Sequence, residues 1–158
     1  MRTCFLLLYK SILTFFFSIG ILYPLWSQVI TISDSASFEE ELSAKEVRKY
    51  IYIRTDEFLE IRRVNTLPSK GDLILVCTLD DPLVRGIDEI KNIDLKTGTI
   101  LLKSINYTNR NILVISGKDT SATLRSAYRF AEHLGVGFDL SGDIIPDERI
   151  PLDITGFD

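Results

Sequence analysis

The sequence has few of the residues that bind metal ions. It contains one His and two Cys among 158 residues, so most of the ligands for a structural zinc site are missing. Basic residues are also in the minority, with 18 Lys and Arg against 22 Asp and Glu and a formal net charge of -4. We therefore expect no nucleic-acid partner, because such a surface needs a positive excess. The length excludes a catalytic (β/α)8 barrel, which needs roughly 250 residues.

Acidic residues are absent from residues 1–27. Arg2 and Lys10 make the start of the chain basic, and a long apolar run follows Lys10. This layout predicts a signal peptide that is cleaved before Gln28, and hence an exported protein that is periplasmic, at the cell surface or extracellular. An uncleaved anchor is the alternative, because Phe5–Trp26 is near the length of a membrane-spanning helix. We expect contact with a membrane only through this segment.

Cleavage changes the charge and the cysteine content of the remaining chain. It removes two basic residues and no acidic ones, so the net charge falls from -4 to -6. It also removes Cys4, which leaves Cys77 alone and makes an internal disulfide impossible. Cys77 ends the apolar run Leu73–Cys77, where a buried structural Cys is expected rather than a reactive thiol.

The exported residues 28–158 form one predicted domain of mixed secondary structure. Strands are predicted at Gln28–Ser33, Asp72–Cys77, Gly98–Asn106, Asn111–Ser116 and Val136–Leu140. The short polar link between the third and fourth of these predicts a hairpin. Helices are predicted up to Thr55 and at Thr120–Leu134, with a short helical stretch opened by Asp80-Asp81-Pro82. The fold class is α+β: a two-layer sandwich with helices on one face of a mixed β-sheet.

The first helix has two candidate starts. Ser37 with Glu40 matches a capping box, and so does Ser43 with Glu46. The apolar positions do not form one clean stripe. We therefore expect a kink, or a true start, near Ser43.

The last helix has clearer signals. Asp119 or Thr120 can cap its start, and Gly135 is suited to the left-handed residue that ends it. The residues with helical spacing on its apolar stripe are Leu124, Ala127, Tyr128, Ala131 and Leu134.

Acidic pairs are the first candidates for chemistry, because glycoside hydrolysis uses two carboxylates. Asp80 with Asp81 and Asp147 with Glu148 are neighbours in loops, where solvated surface carboxylates are expected. Asp139–Asp143 is acidic like a calcium loop but lacks EF-hand spacing, so a turn is expected there.

Other candidate groups also have an ordinary structural interpretation. His133, the single imidazole, is expected either at the boundary of the core or near the end of the last helix, where the helix dipole favours a cation. Ser116–Thr120 has the strand-turn-helix form of a phosphate loop without its spacing, although a helix N-terminus can bind an anion. Arg129 and Glu132 have the spacing of a surface ion pair. We therefore predict no catalytic, cofactor-binding or metal-binding residue, and no cofactor.

Three segments carry a resemblance to a known family. They are Ile112–Thr120 (ILVISGKDT), Thr123–Val136 (TLRSAYRFAEHLGV) and Asp143–Asp147 (DIIPD), with weaker support from Ala44–Tyr50 (AKEVRKY). The chain resembles the N-terminal domain of alpha-glucuronidase-like glycoside hydrolases, and is similar to the domain that precedes the barrel in beta-hexosaminidases. In those proteins the domain is non-catalytic, and the catalytic acids belong to a following (β/α)8 barrel.

The resemblance implies an accessory domain of a secreted polysaccharide-degrading enzyme. Its expected partner is a catalytic (β/α)8 barrel, in cis or in trans, and the chain is expected to be a fragment that lacks this barrel. The alternative is a stand-alone exported module that binds a glycan or a protein, for which Tyr107, Phe138 and Phe157 are candidate exposed aromatics. A small independent hydrolase is a third hypothesis, disfavoured by the missing acid/base constellation.

Overall fold

The structure, a computed structural model, describes residues 28–158. The predicted signal peptide lies outside the described residues. The strands are β1 (Val29–Ser33), β2 (Ile61–Val64), β3 (Leu73–Val76), β4 (Ile100–Asn106), β5 (Asn111–Gly117), β6 (Gly137–Asp139) and β7 (Gly142–Ile144). The helices are α1 (Phe38–Thr55), α2 (Pro82–Arg85) and α3 (Thr120–His133). Within residues 28–158, no helix has the length and apolar character needed to cross a membrane.

Five strands form one mixed sheet in the order β2-β1-β3-β5-β4. All neighbouring pairs are parallel except β4 with β5, which is antiparallel. The predicted hairpin is confirmed: Tyr107 and Arg110 exchange backbone hydrogen bonds across its turn. Thr108 and Asn109 between them have positive φ angles of 51° and 63°, as a two-residue turn with the right-handed twist of a hairpin requires.

The sheet has a buried core on each face. The alternate strand residues Ile30, Ile74 and Leu113 face the two long helices, which also pack on each other. Their neighbours Leu73 and Ile112 face the opposite side, where the segment Leu79–Ile90, including α2, covers them. The predicted α+β class, with long helices on one face of a mixed sheet, is confirmed, and a layer without long helices completes the second face.

The strands β2 and β7 were not predicted. The strand β2 lies at the edge of the sheet, and its central residues Arg62 and Arg63 are exposed, so it lacks the apolar pattern of a buried strand. Charged side chains on an edge strand also discourage pairing with another chain. The predicted last strand, Val136–Leu140, appears in part as β6, but β6 pairs with β7 in a separate two-stranded ribbon.

The helix α1 begins after the N-cap Ser37, so the expected alternative of a start near Ser43 is wrong. The Ser37 hydroxyl accepts a hydrogen bond from the Glu40 backbone, and the Glu40 carboxylate accepts one from the Ser37 backbone. Glu40 also accepts from the Thr78 backbone N–H at 2.7 Å, which ties the helix start to the end of β3. Ser43 is buried, and its hydroxyl donates to the Glu39 carbonyl. The buried face of α1 therefore carries polar residues with partners, which blurs the apolar stripe.

The helix α3 has the predicted ends. Asp119 is the N-cap, and its carboxylate accepts a hydrogen bond from the Ala122 N–H. Gly135 follows the helix with a φ of 85°, a conformation that favours glycine. The buried face is rotated relative to the predicted stripe: Phe130 is fully buried, whereas Leu124 and Tyr128 are half-buried.

Gly117 allows α3 to lie very close to β5. A Cβ atom at this position would lie 2.5 Å from the Ala122 Cβ and from its carbonyl carbon. The Ser126 hydroxyl completes the contact by donating to the carbonyl of Ser116. A side chain at position 117 would therefore push α3 away from the sheet.

Arg54 joins both long helices to the end of the chain. Its side chain is buried, and its Nε donates to the Leu134 carbonyl at 2.7 Å, at the C-terminus of α3. Its Nη1 donates to the carbonyls of Pro146 and Glu148 at 2.6 Å and 2.5 Å. The Ile150 N–H in turn donates to the Arg54 carbonyl. We call residues 146–158 the C-terminal strap, and Arg54 fixes its first half.

Gly117→Ala is expected to lower the free energy of unfolding by about 2 kcal/mol, the typical cost of forcing extra volume into a packed contact. Urea unfolding followed by far-UV circular dichroism measures the loss. Gly86→Ala is the matched control, because Gly86 has an ordinary helical φ of -74° and its added Cβ would have a nearest contact of 3.4 Å. Equal stability of the Gly117→Ala variant and the native chain would contradict the close approach.

Arg54→Met is expected to lower the free energy of unfolding by about 3 kcal/mol, because it keeps most of the side-chain volume but removes several charge-assisted hydrogen bonds. Amide hydrogen exchange should accelerate most in the first half of the C-terminal strap. Arg149→Met is the control, because this arginine is exposed and its Nη1 donates to the Tyr52 carbonyl at 3.1 Å. Unchanged exchange at Ile150 in the Arg54 variant would show that the strap is held by other contacts.

Candidate functional surfaces

The acidic pairs singled out in the sequence have structural partners. Asp80 is exposed and forms ion pairs with Arg85 and Lys118. Asp81 caps α2 by accepting a hydrogen bond from the Leu83 N–H at 2.8 Å. Asp147 and Glu148 are exposed in the C-terminal strap. The expectation of solvated carboxylates fits Asp80, Asp147 and Glu148, whereas Asp81 is buried and caps α2.

Seven carboxyl groups of the described chain have a pKa below the usual value. They are Glu41, Glu60, Asp80, Asp119, Asp143, Asp153 and Asp158. The first cause is in every case a hydrogen bond to the carboxylate. A general acid of a glycoside hydrolase needs the opposite, a raised pKa that keeps its proton near neutral pH. These seven carboxyl groups therefore lack the raised pKa of a general acid.

The acidic turn Asp139–Asp143 connects β6 with β7. The Asp139 carboxylate accepts hydrogen bonds from the Leu140 N–H and the Ser141 hydroxyl within this turn. Asp143 instead contacts α1. Among residues 28–158, no group of three His, Cys, Asp or Glu side chains has the geometry of a metal site. The predicted turn is present.

His133 lies in the last turn of α3, as expected, and its side chain is exposed. Its ring centre lies 5.1 Å from that of Phe157, edge to face. The two rings line a shallow cleft of about 250 Å³ between α3 and the C-terminal strap. The carboxylate in this cleft, Asp153, accepts hydrogen bonds from the backbone and side chain of Thr155. The imidazole thus packs edge to face against Phe157, while the Asp153 carboxylate is engaged by Thr155.

The loop Ser116–Thr120 does not present an open anion site. The Asp119 carboxylate occupies the N-terminus of α3, where it accepts from the Ala122 N–H and from the Gly98 N–H at 2.7 Å. Lys118 forms its ion pair with Asp80 at 3.0 Å. The glycine of the motif, Gly117, serves the close packing of α3 on β5.

The ribbon of β6 and β7 is fixed on the two long helices by three aromatic rings. Phe138 on the ribbon lies edge to face with Tyr50 at 5.7 Å and with Tyr128 at 5.3 Å. Tyr50 and Tyr128 also meet, at 6.3 Å. The Tyr50 hydroxyl donates to the Asp143 carboxylate at 2.9 Å, and the Lys49 ammonium donates to the same oxygen at 3.2 Å. These hydrogen bonds lower the pKa of Asp143.

The same ribbon carries large apolar side chains that face solvent. Leu140 at its tip is fully exposed, Ile144 is 60% exposed, and Phe138 and Ile145 are 40% and 37% exposed. We call these four side chains the apolar ribbon. Phe138 and Ile144 lie on opposite faces of the ribbon, because Phe138 pairs with Asp143 and Ile144 with Gly137. Exposed apolar side chains concentrated in one short segment are candidates for an interaction surface.

The sequence missed the most exposed aromatic pair in the described chain. Phe58, 69% exposed, and Tyr52 lie edge to face at 6.0 Å beside α1. Of the three aromatics expected in exposed loops, Tyr107 and Phe157 are half-buried and Phe138 is partly covered by other rings. The missed signal was the position of Phe58 just after a helix among polar residues, which leaves its ring outside the core.

No family model and no curated protein matches the chain. A solved structure described as a family GH115 4-O-methyl-alpha-glucuronidase, BtGH115A, with specificity for decorated arabinogalactans is similar in part. The TM-score is 0.49 and the identity 18%, over 70% of this chain and 14% of that one. The chain thus spans a small part of that protein, and a likeness at this level assigns neither a family nor an activity.

The contact of Asp143 with Tyr50 and Lys49 should make stability depend on pH. Because these partners lower the pKa of Asp143 from its usual 3.8, its contribution is complete well above that value and is lost as the pH falls through the lowered pKa. The difference in unfolding free energy between the native chain and Asp143→Asn should therefore be constant near neutral pH and shrink on acidification below about pH 4.

Urea unfolding of both proteins between pH 7 and pH 2.5 measures this difference. Tyr50→Phe is the matched control, because it removes the hydroxyl that donates to Asp143 and keeps the ring. In the Tyr50→Phe background the pH-dependent part should be smaller. A difference that grows as the pH falls would contradict the assigned contact.

Proposed function

We propose that residues 28–158 are a non-catalytic accessory domain of an exported polysaccharide-degrading protein, and that the domain acts by packing against a catalytic (β/α)8 barrel in cis or in trans. The observation that carries the proposal is the exposure of the apolar ribbon. The resemblance of Thr123–Val136 and Asp143–Asp147 to the domain that precedes the barrel in alpha-glucuronidase-like hydrolases supports the identity of the partner.

The apolar ribbon is suited to docking because it is exposed and held in place. Burying Leu140 and Ile144 in an interface would remove apolar surface from water, at about 25 cal/mol for each Å². The contacts of Phe138 and Asp143 with the long helices position the ribbon in the free domain. Because the ribbon is already ordered, association would cost little further conformational entropy, which favours affinity.

A structural role also agrees with the electrostatics of the domain. Its hydrogen-bonded carboxylates have lowered pKa values, and its single imidazole lies against Phe157. On this proposal, bond cleavage belongs to the barrel, and residues 28–158 contribute an interface.

The proposal predicts a complex that depends on the apolar ribbon. Exported (β/α)8-barrel proteins encoded beside or in frame with this chain are co-expressed with it, and association is measured by analytical ultracentrifugation and by titration calorimetry. The double variant Leu140→Asp/Ile144→Asp should weaken a one-to-one complex by about tenfold or more, which corresponds to about 1.4 kcal/mol.

Phe38→Asp is the matched control, because Phe38 is an apolar residue with 74% exposure that lies away from the ribbon, at the start of α1. An acidic residue is well tolerated at a helix N-terminus. Equal weakening by the control, or a complex insensitive to the ribbon variant, would overturn the assigned interface. Turnover of aryl glycosides by the purified chain alone would overturn the non-catalytic role.

A further inference from the structure

A second surface lies on the other flank of α1, between this helix and β2. It is a groove of about 240 Å³ lined by Ile32, Glu41, Lys45, Arg48, Ile61 and Arg63. The helical residues Glu41, Lys45 and Arg48 follow one another at one-turn spacing along the groove. Lys49 and Tyr50, which hold the apolar ribbon, lie on a different side of the helix.

The groove has an excess of positive charge. It contains three cationic side chains and one carboxylate, in a chain whose formal net charge is -4. The Glu41 carboxylate lies between Lys45 at 2.7 Å and Arg63 at 2.5 Å. These two cations, acting first through hydrogen bonds from Lys45, lower the pKa of Glu41. The groove therefore already holds one carboxylate group at hydrogen-bonding distance.

Arg48 differs from the other two cations. Within residues 28–158 it forms no ion pair, and its guanidinium carbon lies 4.9 Å from the centre of the Phe58 ring. The ring of Phe58 nonetheless keeps 69% of its surface exposed, and Tyr52 lies against it at 6.0 Å. Arg48 lines the groove and Phe58 does not, so a cation with free donors joins the groove to an exposed aromatic side chain beside it.

This combination suits a ligand with both a ring and an anionic group. A sugar ring has an apolar C–H face that packs on an aromatic side chain, as ring ligands do in apolar sites with a few placed polar groups. A carboxylate or sulfate on that ring accepts hydrogen bonds from guanidinium and ammonium groups. The carboxylates of an acidic peptide would pair with the cations of the groove, but they would not use the exposed ring of Phe58.

We infer that the groove between α1 and β2 binds an anionic sugar unit of a polysaccharide, with its acidic group on Arg48 and Lys45 and its ring against Phe58. This inference does not depend on the docking role of the apolar ribbon. It adds a ligand class, carboxylated or sulfated glycans, to a domain for which a protein partner is proposed above.

The test uses the purified full chain in affinity electrophoresis through gels that contain polygalacturonate, dextran sulfate or neutral dextran. Retardation by one or both anionic polymers and none by dextran is expected, and the polymer that retards the chain identifies carboxylate or sulfate as the recognised group. Added salt should weaken the binding, because it screens exposed charges. Retardation by no anionic polymer, or equal retardation by dextran, would overturn the inference.

Two variants and one control test the site itself. Arg48→Gln and Phe58→Ala should each weaken binding by about fivefold or more, the range expected for exposed cation and ring contacts. Arg62→Gln is the control, because Arg62 belongs to the same strand as Arg63, carries the same charge and pairs with Glu60 outside the groove. Equal weakening by Arg62→Gln would mean a response to net charge alone and would overturn the site.

The outcome is separable from that of the docking experiment. Leu140→Asp/Ile144→Asp should leave binding to the anionic polymer unchanged, apart from a small general effect of its two added negative charges. Circular dichroism melting curves confirm that each variant is folded before binding is compared. Binding lost only in the ribbon variant would place the ligand on the other surface and overturn the groove.

Discussion

The hydrogen bonds of the buried Arg54 side chain hold the two long helices and the C-terminal strap in their positions. The acceptors are backbone carbonyls at the end of α3 and in the C-terminal strap. Because burying a charge is costly unless hydrogen bonds compensate it, these carbonyls must stay where Arg54 can reach them. The strap then continues along β4, where Ser104 hydrogen-bonds with Ile154 and Phe157. One side chain thereby couples the ends of both long helices to the edge of the sheet.

The helix α1 separates two surfaces with different chemistry. On one side Tyr50 and Lys49 hold the ribbon through Asp143, and the ribbon presents apolar side chains that favour contact with another protein surface. On the other side Lys45 and Arg48 line a cationic groove beside an exposed aromatic ring. The two binding roles proposed for the domain rest on these two surfaces, which lie on different sides of one helix.

Local patterns in the sequence were sufficient for much of the fold. The cap at Asp119, the αL residue Gly135 and the turn at Thr108 depend on neighbours within a few residues, so they were predictable. The edge strand β2 was missed because Arg62 and Arg63 face solvent. The start of α1 was left open between Ser37 and Ser43, because sequence spacing does not show that the Ser43 hydroxyl donates to a backbone carbonyl of its own helix.

The sequence by itself determined the fold class, the hairpin and the burial of Cys77, whose side chain is fully buried in the structure. These follow from periodicity, turn chemistry and composition, which act over short distances along the chain. Only the tertiary structure decided which side of α1 carries the ribbon, that Phe58 stays outside the core, and that Arg54 reaches the C-terminal strap. Each of these depends on residues far apart in sequence, such as Arg54 and Pro146, whose proximity is set by packing on the sheet.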